Sequence, residues 1–252
     1  MKSSAFVTIV AGIVALAYGA ASAATPTVDA GTDGATATSA SHTATLPACA
    51  SGKLLVAVIT PDNAGAPISN VTAGWTKINN LSDTATFGTV RTETYYKFSS
   101  GADSLSYDTG ASVPTSYIIR CFGGAHASAA PEGSSALATG TSVNPDPATS
   151  GAVSWGTDTN LFCFFAAFDR GGSGAAHSAY SSGYTTDQRE TSTETAGAAA
   201  HSGCKAASAD SDDPGTSTIS ASDNWLAGTY VIRPASTQSQ SPRSMHQYRL
   251  RR

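Results

Sequence analysis

The chain has 252 residues, of which 40% are apolar and only 13% charged, and its formal net charge is −4. Residues 24–240 hold all eighteen acidic groups against nine basic ones, a net −9, while Arg243, Arg249, Arg251 and Arg252 crowd the end. An acidic body excludes a broad nucleic-acid surface, which needs clustered cations, and frequent apolar runs between turn signals exclude a chain disordered throughout.

At the start, Met1–Ser4 carries Lys2, Ala5–Tyr18 is uncharged and apolar, and Gly19–Ala24 turns to small residues. That order is the order of a secretory signal, and Ala21-Ser22-Ala23 offers the small side chains a signal peptidase reads. Residues 1–23 are therefore predicted as a signal peptide cleaved after Ala23. The alternative is a retained anchor, since an uncharged stretch of about 20 residues matches one bilayer crossing.

Beyond it the patterning is that of strands, with period two in place of 3.6. Thr36–Leu46 is a weak strand candidate, and Lys53–Thr60 (KLLVAVIT) is a short apolar run bounded by Ser51-Gly52 and Pro61-Asp62-Asn63, as in a strand covered on both faces. Val90–Phe98 alternates, with Val90, Thr92, Thr94, Tyr96 and Phe98 on one face and Arg91, Glu93, Tyr95 and Lys97 on a polar one. Ser104–Tyr107 is weak, Tyr117–Phe122 (YIIRCF) and Asn160–Phe168 (NLFCFFAAF) are strong, and Ala198–Ala207 and Thr216–Ser220 are weak. Trp225–Arg233 is a further strong strand, stopped by Pro234. The connections are rich in turn formers, among them Ser100-Gly101, Asn144-Pro145 and Asp213-Pro214-Gly215. Residues 24–235 are thus predicted as one all-β domain, an antiparallel two-sheet sandwich (jelly-roll-like) of about 9–11 strands. Residues 236–252 read as a disordered basic tail.

Cys49, Cys121, Cys163 and Cys204 lie far apart with no C-x-x-C, which excludes a zinc ribbon or a thioredoxin-type site. Four cysteines in an exported chain permit disulfides in three pairings, and the alternative is that Cys121 and Cys163 are small buried residues within strands. Asp210, Asp212 and Asp213 suggest calcium, but Pro214 and Ala221 fall where an EF-hand loop needs oxygen ligands, so a solvated turn is expected. His42, His126, His177, His201 and His246 form no i, i+2 or i, i+4 pair, so no local metal pair is predicted and each reads as a surface or core histidine. There is no G-x-S-x-G elbow, the Gly171–Gly174 stretch being only superficially similar, and no nucleotide fingerprint. No catalytic residues, metal or cofactor are therefore expected. Trp75, Trp155, Tyr180 and Tyr184 lie in or beside loops and Tyr95 on a polar strand face, where rings stack on a sugar or cap the core. Asn70-Val-Thr72 and Asn80-Leu-Ser82 match the glycosylation pattern.

Taken in order, Ser51-Gly-Lys-Leu-Leu-Val56, Ala73-Gly-Trp-Thr76, Tyr95-Tyr-Lys-Phe98, Gly101-Ala-Asp103, Tyr117-Ile-Ile-Arg120 and Gly123-Gly-Ala125 form a characteristic series. It continues through Pro145-Asp-Pro147, Ser154-Trp-Gly156, Asp158-Thr-Asn-Leu161, Ser182-Gly-Tyr-Thr185, Asp213-Pro-Gly215 and Trp225-Leu-Ala227 to Ile232-Arg-Pro234. Over about Thr25–Ala235 the series resembles the single-domain β-sandwich proteins of tailed-phage and environmental viral genomes, also found in some bacteria. The resemblance implies a structural or attachment role and brings no catalytic residues. With the export segment, the expectation is a non-enzymatic structural or adhesion module on a virion or cell exterior. Its partners would be copies of itself, virion or cell-surface components or glycans, with no nucleic acid and no membrane span after cleavage. A secreted carbohydrate-binding module is the alternative, and a secreted hydrolase the third reading.

Overall fold

The computed structural model describes residues 24–62, 67–82, 90–169, 174–191 and 197–236, without the side chains of 79, 80 and 82. The predicted signal peptide and all of the predicted tail but Ser236 lie outside these residues.

Among the described residues there are thirteen strands and no helix. In chain order they are β1 (Thr27–Ala44), β2 (Leu54–Pro61), β3 (Thr76–Ser82), β4 (Glu93–Phe98), β5 (Leu105–Gly123), β6 (Glu132–Gly133) and β7 (Ala138–Gly140). They continue with β8 (Asp158–Asp169), β9 (His177–Ala179), β10 (Thr186–Glu190), β11 (Ala198–Ala209), β12 (Thr218–Ile219) and β13 (Trp225–Ile232). The first sheet runs β1-β5-β2-β4-β3, the second β10-β11-β8-β13-β6 with β7 also on β13, and β9 and β12 form a small ribbon. Every pairing is antiparallel, so the chain is an all-β sandwich. Each sheet takes its strands from one half of the chain, and four of the thirteen strands have only two or three residues.

The alternation of side chains along each strand builds two cores per sheet. Leu54, Val56 and Val58 of β2 meet Leu161, Cys163 and Phe165 of β8 and Tyr230 and Ile232 of β13 between the sheets. The opposite face of β2, with Leu55, Ala57 and Ile59, packs on Leu105 and Tyr107 from the start of β5 and on Ile68 and Trp75 from the loop between β2 and β3. The β1–β5 ribbon reaches this position by folding back. Gly110 adopts φ 67°, register shifts interrupt β1 at Thr36/Ser39 and Ser39/Ser41, and Thr32 Oγ1 donates to the Thr45 carbonyl at 2.8 Å. On the far side of the second sheet, Phe162, Phe164 and Val231 lie under Val153 and Tyr184. Both sheets are therefore covered on both faces, which is why β2, β8 and β13 are buried along nearly their whole length.

The cysteines are paired as Cys49–Cys121 and Cys163–Cys204, and none is free. The second bond joins residues directly opposite in the β8–β11 register. Between the sheets, Arg120 of β5 is buried and donates from Nε to Asp187 Oδ2 of β10 at 2.7 Å, from Nη2 to the Asp187 carbonyl at 2.6 Å and from Nη1 to Ser202 Oγ of β11 at 2.8 Å. Arg189 extends the chain of charges from Asp187 to Asp33 of β1. Burial pushes the Asp187 carboxyl up, but Arg189 and Arg120 outweigh it and hold it below the usual carboxylate range.

Candidate functional site

The first sheet's β4 carries the most enclosed carboxylate. Glu93 is fully buried and receives the Arg91 Nε–H and the Ile68 amide on Oε1, both at 3.0 Å, with the Tyr95 hydroxyl and Lys77 ammonium on Oε2, both at 2.5 Å. Four donors satisfy one carboxylate, so Arg91, Glu93 and Tyr95 of the face predicted as polar are inside the molecule, while Lys97 is half-buried and pairs with Asp103.

On the outer face of the second sheet, a second polar group is incompletely satisfied. Antiparallel register places His201 of β11 opposite Ala166 of β8 and Glu190 of β10. His201 is fully buried, with Phe164 and Phe168 each 5.9 Å away between ring centroids. The ribbon strand β9 lays His177 over it at 4.6 Å, and Tyr180 stands 3.9 Å from His177. His177 Nδ1 lies 2.7 Å from Glu190 Oε2. Among the described residues, His177 Nε2 and both ring nitrogens of His201 are buried without a hydrogen-bond partner. An unsatisfied buried polar group costs about 1–3 kcal/mol, so three in one pocket mark a place not built for stability alone. Burial, with His177 adding to it, holds His201 well below the ordinary histidine range, and burial followed by Glu190 pushes Tyr180 up to about 12.

A groove of about 380 Å³ lies where β3 and β4 approach β6, lined by Thr76, Lys77, Tyr96, Pro131 and Glu132 among others. Tyr96 is half-buried there, and Glu132 accepts from the Ser154 amide at 2.8 Å and from the Ser154 hydroxyl.

Of the five aromatic residues singled out in the sequence, three are in the core. Trp75 is buried and donates its indole N–H to the Ser104 carbonyl at 2.9 Å. Tyr95 is buried because the folded-back ribbon covers its face of the first sheet, and its hydroxyl is pushed up by that burial and by Glu93. Tyr184 is fully buried, edge-on to Phe164 at 5.2 Å, with its hydroxyl donating to Asp212. Trp155 and Tyr180 are half-buried at the rim of the same outer cluster. Trp155 donates to Asn160 Oδ1 at 2.8 Å and lies under the Arg233 guanidinium.

In the acidic turn, Asp212 is not a solvated residue: it takes Lys205 at 2.6 Å as well as Tyr184. Among the described residues no group of three or more His, Cys, Asp or Glu is placed to hold an ion. Asn70 is exposed and donates to Asp108 at 2.6 Å, while the Asn80 side chain and residues 171–173 lie outside the described residues.

No local spacing joins His177 to His201: the β9–β12 ribbon packs over the face of β11, and the approach of the first sheet to β6 of the second brings Lys77, Tyr96 and Glu132 together around the groove. The one available signal was a histidine in the middle of the Ala-rich strand Ala198–Ala209. No protein-family model matches the chain, and neither a curated protein nor a solved structure gives a match.

Proposed function

We propose that the chain is a non-enzymatic structural or adhesion module of a cell or virion exterior. The observation that carries this reading is the destination of its charged side chains. Arg91 and Glu93 pair within the first sheet, and Arg120 and Asp187 pair between the two sheets. Side chains held this way fix shape. Two disulfides add to the same end and suit an oxidising exterior. The first sheet also ends in β1, an 18-residue edge strand whose outward residues are mostly Thr, Ser, Ala and Gly. The stretches of this edge between its register shifts offer room for a further strand, a route to ordered assembly or attachment. Sedimentation velocity and electron microscopy of the oxidised protein test it, alongside retention on the surface of the producing cell or particle. Ordered oligomers or surface retention are expected; a protein that stays monomeric at all concentrations and is not retained refutes it.

A second reading, glycan binding, is favoured by the groove, where the half-buried Tyr96 ring lies beside Lys77 and Glu132. An aromatic surface rimmed by polar groups suits a sugar. Glycan-array binding that disappears in Tyr96→Ala supports it, and an array without binding ends it.

A further inference from the structure

We infer that His177 and His201 form a binding site for a divalent transition-metal ion of the copper, nickel or zinc class on the outer face of the second sheet. The inference starts from tautomers. A carboxylate only accepts, so the 2.7 Å contact with Glu190 requires His177 Nδ1 to donate. That leaves His177 Nε2, which is buried and receives no hydrogen bond among the described residues, as the ring's free position for an ion. Neutral His201 offers one more lone pair, with neither ring nitrogen partnered. Two adjacent buried imidazoles with unpartnered nitrogens suit an electron-pair acceptor.

The ring spacing fits one ion. A metal–nitrogen bond of about 2.0–2.1 Å places each ring centroid roughly 3.2 Å from the ion, so two rings at about 90–109° stand roughly 4.5–5.2 Å apart. The His177 and His201 centroids are 4.6 Å apart. Glu190 on the far nitrogen of His177 is the arrangement that orients a ligating imidazole and raises its basicity. Neutral nitrogen donors select copper, nickel and zinc over magnesium or calcium, which take oxygen. With two protein ligands, the remaining positions belong to water or a small anion, which enters beside His177, whose side chain is 10% exposed. The competing occupant is a single water donating to both lone pairs.

The full chain, oxidised and stripped with chelator, is titrated with Ni²⁺, Cu²⁺, Zn²⁺ and, as control, Mg²⁺. Metal retained after desalting and the melting temperature are measured. One transition-metal ion per chain is expected, with a rise in Tm of about 5–10 °C at a hundredfold excess over Kd and none with Mg²⁺. Retention is lost in His177→Gln, weakened about 10–100-fold in Glu190→Gln, and kept in the control His126→Gln. No retention, or retention unchanged in His177→Gln, overturns the inference and leaves the pocket to water. Should His177→Gln fail to fold, the Cu²⁺ EPR spectrum of the wild-type chain decides: coupling to two imidazole nitrogens supports the site, and its absence overturns it.

Discussion

Replacing Arg120 with Met removes the one charge that ties β5 to β10 and β11 across the layer between the sheets. Arg120 is 1% exposed and Asp187 17%, so the pair is largely out of solvent. Breaking a buried pair from one side costs about 3–5 kcal/mol, because the surviving charge is left without its partner. Asp187 retains Arg189, with contacts of 2.7 Å to each carboxylate oxygen, which places the loss at the lower end, about 3 kcal/mol. At this chain size that lowers Tm by about 6–12 °C. Urea denaturation followed by circular dichroism measures it, in a cycle with Asp187→Asn and the double variant. The double variant should cost less than the sum of the singles, since neither charge is then stranded. Asp33→Asn, at the solvent end of the same network, should cost under about 1 kcal/mol. An Arg120→Met loss below about 1 kcal/mol, or strict additivity in the cycle, would refute the view that this network fastens the sheets.

Three further outcomes follow from the packing and charge. Burial pushes the Asp103 carboxyl up, but Lys97 and the Ser99 and Ser100 hydroxyls outweigh it and hold the group down to about 2. A depressed folded pKa means stability that is complete above the unfolded value of about 3.9 and is lost as pH falls through that window. Urea melts at pH 7 and pH 3 should therefore show a smaller acid loss in Asp103→Asn than in the wild type. The Cys163–Cys204 bond closes 41 residues, so Cys163→Ala/Cys204→Ala should lose up to about 4 kcal/mol, read from denaturation without reductant. A Cβ at Gly203 would stand 2.8 Å from the Tyr184 carbonyl oxygen, and Gly203→Ala should cost about 1–3 kcal/mol by the same measurement.

How much of this was legible depends on how many layers cover a strand. β2, β8 and β13 are covered on both faces and so appear in the sequence as unbroken apolar runs. The period-two pattern of residues 90–98 is a strand only from Glu93 to Phe98, and Arg91, Glu93 and Tyr95 of its polar face are internal. Glu93 and Tyr95 look out from the first sheet onto a ribbon whose return no local pattern announces. The first half of β1 and all of β10 passed unnoticed because their residues are small or charged and gain their strand conformation from β5 and β11. Register likewise decided the cysteine pairing, since Cys163 meets Cys204 only once β8 and β11 are aligned. His177 and His201 became a pair by packing rather than by register: β9, outside the sheet that holds β11, brings one histidine over the other.

The exterior role is tested most directly by fractionating cells that produce the full chain and determining the N-terminus, intact mass and free-thiol content of each fraction. The expected result is exported protein beginning at Ala24, with all four cysteines oxidised. Protein confined to the cytoplasm, with Met1 in place and four free thiols, would contradict it.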